Sequence, residues 1–491
     1  MAEGAPASTG LTRRRLLLGG ALTLPLVLAG YWFTRQPAHP APPPPTSTVI
    51  AQLPLPVLGT PTVAPTAATP APATTPARRA TVTAMPNLDL QRAGRLLFTT
   101  DNPAGIAAID ADGGNRRRLT LGVYDGLTWA PDGSRFAAVG AALAGSADEQ
   151  VAIFASDGQP LARYGFAGTI SRGLAWSPDS RHVLCRIRPH DVDYQEDQFP
   201  YITQLLDDDG VHAVTLAPDP YALLWGWTPA GRLAFLSTAD NTYYGLLAVT
   251  APVTVWTTRV DGSDPRMEAT GTFRLLDWTP DGQTLYALGD LALVSQPGVL
   301  NGRFPHSLIA LDRATGTQRT IITVATLAAA SDNPSAPHWL DSGLVAPGGR
   351  RIALWLSATA GSVMAGTPEL SRDTTLVLVD TTGQVLASET LHDSVLPVGL
   401  AWSPDGQRLA YFVLPASNDQ NELHILAPGA APLIYAVDAT TTVAGAVAAW
   451  SPDGRWIAFA GPAGLAIGAA QPPARTYPLV PGGLRPAWRP R

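Results

Sequence analysis

A chain of 491 residues with a formal net charge of −6 is longer than one average domain, yet only residues from about Leu88 onward read as a packed globular unit. Every basic residue is Arg and Lys is absent, which excludes a Walker lysine, a Schiff base and a pyridoxal-phosphate anchor. The lone thiol, Cys185, excludes an intramolecular disulfide and cysteine-built zinc cages; within HVLCRI it reads as a small buried hydrophobe on a strand.

Three arginines, Arg13 to Arg15, stand directly before an apolar run from Leu16 to Phe33, about long enough to cross a bilayer and oriented with its N-terminus in the cytoplasm. Thr12 to Leu17 resembles a twin-arginine signal, although an ordinary Sec-inserted anchor has the same basic flank. Leu28-Ala29-Gly30 matches the opening of a lipobox, but Tyr31 stands where lipidation needs Cys. No small-x-small cleavage site stands out, so a retained single-pass anchor is favoured over release. Residues 36–87, rich in Pro, Thr and Ala, cannot form a core and read as a disordered, semi-rigid stalk. The expected domains are therefore 1–35 (cytoplasmic tip with signal or anchor), 36–87 (linker) and 88–491 (globular body). Residues 1–87 hold six Arg and one Glu, leaving the body 27 Arg against 38 acids. With that net charge of −11, nucleic acid is not expected as a partner.

The body repeats one pattern: apolar-Ala-Trp-Ser/Thr-Pro-Asp-Gly, then an alternating apolar strand. Its copies end their first strand at Trp129, Trp176, Trp227, Trp278, Trp402 and Trp450, with a degenerate copy at Val345 and a half copy at Trp488. The spacing of roughly fifty residues fits a propeller blade of four short strands. Within each copy Pro and Gly dictate a tight turn between strands a and b. Second hairpins such as IFASDGQPLARY supply c and d. The chain stops at LRPAWRPR, a strand a without its b, while AGRLLFTT near Arg95 is a strand b without its a. The last blade is thus expected to combine both ends of the chain, giving an all-β propeller of eight four-stranded blades closed without an exposed edge, or seven if Val345 heads an insertion.

The LAWSPDG and DADGGNRRRLT segments resemble the PD40 (WD40-like) propellers found in TolB and in the propeller domains of prolyl oligopeptidases. The resemblance covers nearly all of the body and implies fold, not function. TolB carries an additional small domain for which the Pro/Thr region leaves no room, and the Gly-x-Ser-x-Gly of the peptidases is absent.

Long connections are expected over 188–200, 237–252, 289–305, 324–341 and 357–373, all b-to-c or d-to-a and hence on one face, the natural binding face. Tyr194, Phe199, Tyr243, Tyr244 and Phe304 are the candidate partner anchors, with loop packing as their alternative role. The acidic loop His190, Asp191, Asp193, Glu196 and Asp197 matches no metal-ligand spacing and reads as solvated. Asp207 to Gly210 reads as a c-to-d turn. No catalytic, cofactor or metal residue is expected. The functional expectation is an exported or membrane-tethered scaffold binding an envelope protein or glycan. The alternative is a lyase or hydrolase of an envelope polymer, a reading weakened by the Leu, Ala and Trp that dominate strand a.

Overall fold

The computed structural model describes residues 93–490 together with Arg78–Arg79, Thr81–Val82 and Leu90, except for residues 142–147, 171–172, 190–201, 208–209, 214–222, 239–251, 297–299, 330, 332–335, 361–370, 393–396, 415–420, 439–440 and 442–445. The Leu16–Phe33 run lies outside these residues. Among the described residues no helix is long and apolar enough to cross a membrane.

Eight antiparallel sheets follow one another along the chain, each in the order a-b-c-d. Blades 1 to 7 take strand a from Tyr124–Trp129, a split strand (Gly168–Ile170 and Ala175–Trp176), Leu223–Trp227, Arg274–Trp278, His338–Val345, Pro397–Trp402 and Ala448–Trp450. Blade 8 joins Gly483–Trp488 to Arg95–Asp101, Ala104–Asp110 and Arg117–Leu121. Leu96 pairs with Trp488 and Leu97 with Ala487 in the closing register. The fold is therefore an eight-bladed β-propeller, and Val345 heads an ordinary blade rather than an insertion.

Burial explains why strands b and c read as continuous apolar runs. Both faces of a blade are covered by neighbours, so consecutive residues are all buried but point to opposite seams. Leu96 and Phe98 join the cluster shared with blade 7, which contains Trp456 and Tyr477. Leu97 joins the cluster shared with blade 1, which contains Phe136 and Phe154. The core is thus a ring of interblade layers rather than one central mass.

In five blades the motif Trp ties the layer inward. Its indole N–H donates to the inner-strand carbonyl just before the corresponding position of the preceding blade: Trp129 to Ala487 (3.2 Å), Trp176 to Thr128 (3.2 Å), Trp227 to Ala175 (3.1 Å), Trp402 to Leu344 (3.1 Å) and Trp450 to Ala401 (2.9 Å). Ser-Pro-Asp-Gly closes the adjacent turn by side-chain bonding. Asp405 Oδ1 accepts from Ser403 Oγ (2.5 Å) and from the Gln407 amide (3.0 Å), and Ser403 Oγ accepts from the Arg408 amide (2.9 Å). Gly406 sits at φ +63°, which favours glycine. Ser180 takes the same conformation (φ +63°) in blade 2, and its hydroxyl accepts from the Asp132 amide at 3.1 Å, tying two turns together.

The stalk expected over 36–87 engages the propeller near its end: Arg78–Arg79 pairs in parallel with Leu433–Ile434 of blade 6, and Thr81–Val82 with Arg475–Thr476 of blade 7. The reason is local. No proline lies between Pro76 and Pro86, so no amide is missing where Arg78–Arg79 and Thr81–Val82 pair with outer strands whose edges are otherwise unpaired.

Candidate functional site

The a-to-b and c-to-d turns are short throughout, so one end of the ring is built almost wholly from the repeat. At the other end the connections differ blade by blade. Blades 7 and 8 turn tightly at Gly461–Gly464 and Asp101–Ala104. Blade 4 carries an extra hairpin, Ala292–Gln296 with Leu300–Phe304. A helix, Val324–Ala328, leads from blade 4 to blade 5, with Thr323 Oγ1 accepting from the Thr326 amide at its start.

Of the five aromatic anchors proposed from sequence, Tyr194, Phe199, Tyr243 and Tyr244 lie outside the described residues, as does the His190–Asp197 loop. Phe304 is 2% exposed, and its ring centroid is 5.4 Å from that of Trp339. Its ring therefore fastens the hairpin to blade 5, the packing role that was its alternative. Asp207 is in a turn as expected: its amide donates to Gly210 O (3.2 Å) and its carboxylate accepts from the Gly210 amide (2.9 Å). Cys185 is buried, and burial pushes its thiol up to about 12.

Polar groups are also fixed within this elaborated end. His338 is buried; its Nδ1 lies 2.6 Å from Ala336 O and its Nε2 3.0 Å from Ser331 Oγ, whose single proton reaches either Nε2 or Ala328 O, 2.8 Å away. Burial lowers the His338 pKa, so the neutral ring with its proton on Nδ1 holds the segment from the helix to strand a. Between blades 5 and 6, His424 Nδ1 lies 2.7 Å from Glu389 and its Nε2 3.1 Å from Glu422, while Tyr411 donates to the other oxygen of Glu389. Burial opposes the imidazolium, but the two carboxylates outweigh it and raise its pKa to about 9.

The inner strands carry more charge than their Leu-Ala-Trp endings suggest. Most contain a bulge, which adds one residue and redirects its side chain; Asp125 and Asp341 occupy such positions. Arg485 of blade 8 forms an ion pair with Asp125 of blade 1. Arg274 of blade 4 donates to the Asp341 carbonyl of blade 5, and the Asp341 carboxylate accepts from Trp339 Nε1 (2.8 Å) and from Ser357. Both contacts join the inner strands of adjacent blades, 8 to 1 and 4 to 5. Asp277, one residue before Trp278, stands where other blades have Ala, Thr, Gly or Leu. Burial raises its carboxyl to about 6, against the lowering effect of the Trp278 amide at 2.7 Å.

The residues directly beside Trp do not announce these charges. The signal lies one turn of pleat earlier, since Asp125, Arg274 and Asp341 each stand four residues before Trp129, Trp278 and Val345. Among the described residues no group of three or more His, Cys, Asp or Glu is placed to hold a metal ion.

The arrangement defines an eight-bladed propeller with one repetitive end, one elaborated end and charged contacts between inner strands. No family model matches the chain, and no curated protein matches it. Among solved structures it is similar to an oligogalacturonate lyase in complex with manganese (13% identity, TM-score 0.46, 77% of this chain and 96% of that one). It is also similar to a prolyl endopeptidase (13%, TM-score 0.47), where 77% of this chain matches 53% of the other. TolB from Acinetobacter baumannii is a further likeness (14%, TM-score 0.30, 70% of this chain and 79% of that one). At such identities a likeness concerns the fold alone, and the architecture here stands on the strand pairing itself.

Proposed function

We propose that this chain is an extracytoplasmic binding scaffold, tethered or exported through its N-terminal segment, that engages an envelope protein or glycan through its elaborated end. The observation that supports this reading is the asymmetry of the ring. One end repeats a single structural solution, whereas the other varies in length and composition from blade to blade, as binding surfaces on rigid frames do. The basic-apolar segment Arg13–Phe33 supports the location. The test is photo-crosslinking in cells from positions on each end, such as Gln296 and Thr326 against Gln283 and Gln407. Partner adducts should arise from the first pair; adducts from the second pair alone would refute the assignment. A reporter fused after residue 90 should be active only outside the cytoplasm, and cytoplasmic activity would refute export.

A second reading, an enzyme acting on an envelope polymer, is favoured by one observation: Asp277 has a raised carboxyl pKa on an inner strand and therefore sits near the protonation balance of a general acid. A panel of polysaccharide lyase and hydrolase substrates tests it. Turnover abolished by Asp277→Asn would establish it, and an inert wild type would remove it.

A further inference from the structure

The chain itself shows that the rim of this propeller accepts added strands: Arg78–Val82 lies in parallel on the outer strands of blades 6 and 7. The next outer strand around the ring, Arg117–Leu121 of blade 8, ends its sheet with no such cover among the described residues. Its composition is unlike that of the other seven. Arg116, Arg117 and Arg118 are consecutive and exposed, in a body that is otherwise strongly acidic.

The acids near this strand are already engaged. Asp110 accepts from Arg95 at 2.9 Å and from Asn115 at 2.6 Å, and Asp112 accepts from the Gly114 amide at 2.9 Å. Arg116 lies over the Phe98 ring at 5.9 Å, while Arg117 and Arg118 have no acidic partner among the described residues. The strand then runs into Leu121 and Val123, which are 62% and 60% exposed. Charge on an edge strand normally keeps other chains away. Against a partner of opposite charge the same row of cations attracts, the free edge supplies backbone donors and acceptors, and the exposed apolar pair supplies contact area.

We propose that the outer edge of blade 8 is a docking site for an acidic peptide segment of a protein partner, which adds in extended form as a fifth strand. This surface is on the rim, separate from the elaborated end, so it stands or falls independently of the scaffold reading.

The test uses the full chain and a fluorescent peptide, Glu-Val-Asp-Thr-Glu-Val. Three comparisons are made: the same peptide with Pro for Thr, the Arg117→Glu/Arg118→Glu variant, and hydrogen exchange with and without peptide. Binding is expected to fall about tenfold or more with either change, since each removes one of the two sources of affinity. Amides of 117–121 should gain protection. The exposed Arg positions keep the variant folded, which its thermal midpoint checks. Absence of binding overturns the proposal. So does binding indifferent to the proline, which would mark a bare charge contact. Equal binding of polygalacturonate or of anionic phosphatidylglycerol vesicles would likewise overturn it, because neither can add a strand.

Discussion

The two ends of the ring use different chemistry for different ends. At the repetitive end the same few side chains recur: an indole reaching the previous blade, a Ser and an Asp closing the turn, and an Arg over the Trp, as Arg408 lies 5.6 Å over Trp450 and Arg489 5.6 Å over Trp129. At the elaborated end two described connections are held by different devices, Phe304 on Trp339 in one place and the His338–Ser331 contact in another. Stability that is repeated around the ring leaves the opposite end free to vary. The exceptions sharpen the contrast: Trp278 and Trp488 have buried indole nitrogens without a partner among the described residues, and blade 5 has Val345 in place of Trp.

The largest break in this comparison comes from opening the ring. Deleting residues 483–491 strips strand a from blade 8, exposes the Arg95–Asp101 edge and unpacks both seams that meet there. Loss of the cooperative thermal transition is expected; a retained sharp transition would show that closure is not structural. Next in size, Trp450→Ala removes a buried indole and should cost about 3–5 kcal/mol in denaturant unfolding. Trp450→Phe removes the N–H bond, about 1 kcal/mol, together with part of the buried ring volume. Trp488→Phe, which loses no such bond, should cost clearly less.

Two smaller effects are read against pH. The His424 pKa is raised to about 9 from 6.5, so its contribution is complete below pH 6.5 and disappears as pH rises through 9. The thermal midpoint of the wild type should decline across that window, and His424→Leu should flatten the decline. Asp277 titrates near 6 instead of 3.8, so the carboxylate is disfavoured in the folded state and stability falls as pH rises through 6. Asp277→Asn should remove that slope and raise the midpoint at pH 7–8, a gain on the order of 1 kcal/mol. An unchanged slope in either variant would place the titrating group elsewhere.

Much of the frame was legible in the sequence because the repeat is a physical necessity. Trp, Pro, Asp and Gly each answer a local demand, and the unmatched halves at Trp488 and Arg95 fixed the closing blade. Even Val345 could be placed by spacing, because the turn residues after it survive. The strap at Arg78–Val82 was not legible, since its four pairing residues gain order only from edges formed hundreds of residues later. Nor were the inner-strand charges: Arg485 and Asp125 meet only once the ring has closed. The role of Phe304 depended on Trp339, a partner in the next blade that no local pattern announces.

The division of labour between the two ends is tested most directly by exchanging connections. Replacing the extra hairpin of blade 4, residues 292–303, with a two-residue turn should lower the unfolding midpoint by a few degrees at most and abolish partner capture. Replacing Pro-Asp-Gly with Ala-Ala-Ala at 404–406 and 452–454 should lower the midpoint by many degrees while whatever remains folded still captures the partner. The reverse pattern, with stability lost at the long connections and capture lost at the motif turns, would contradict the account.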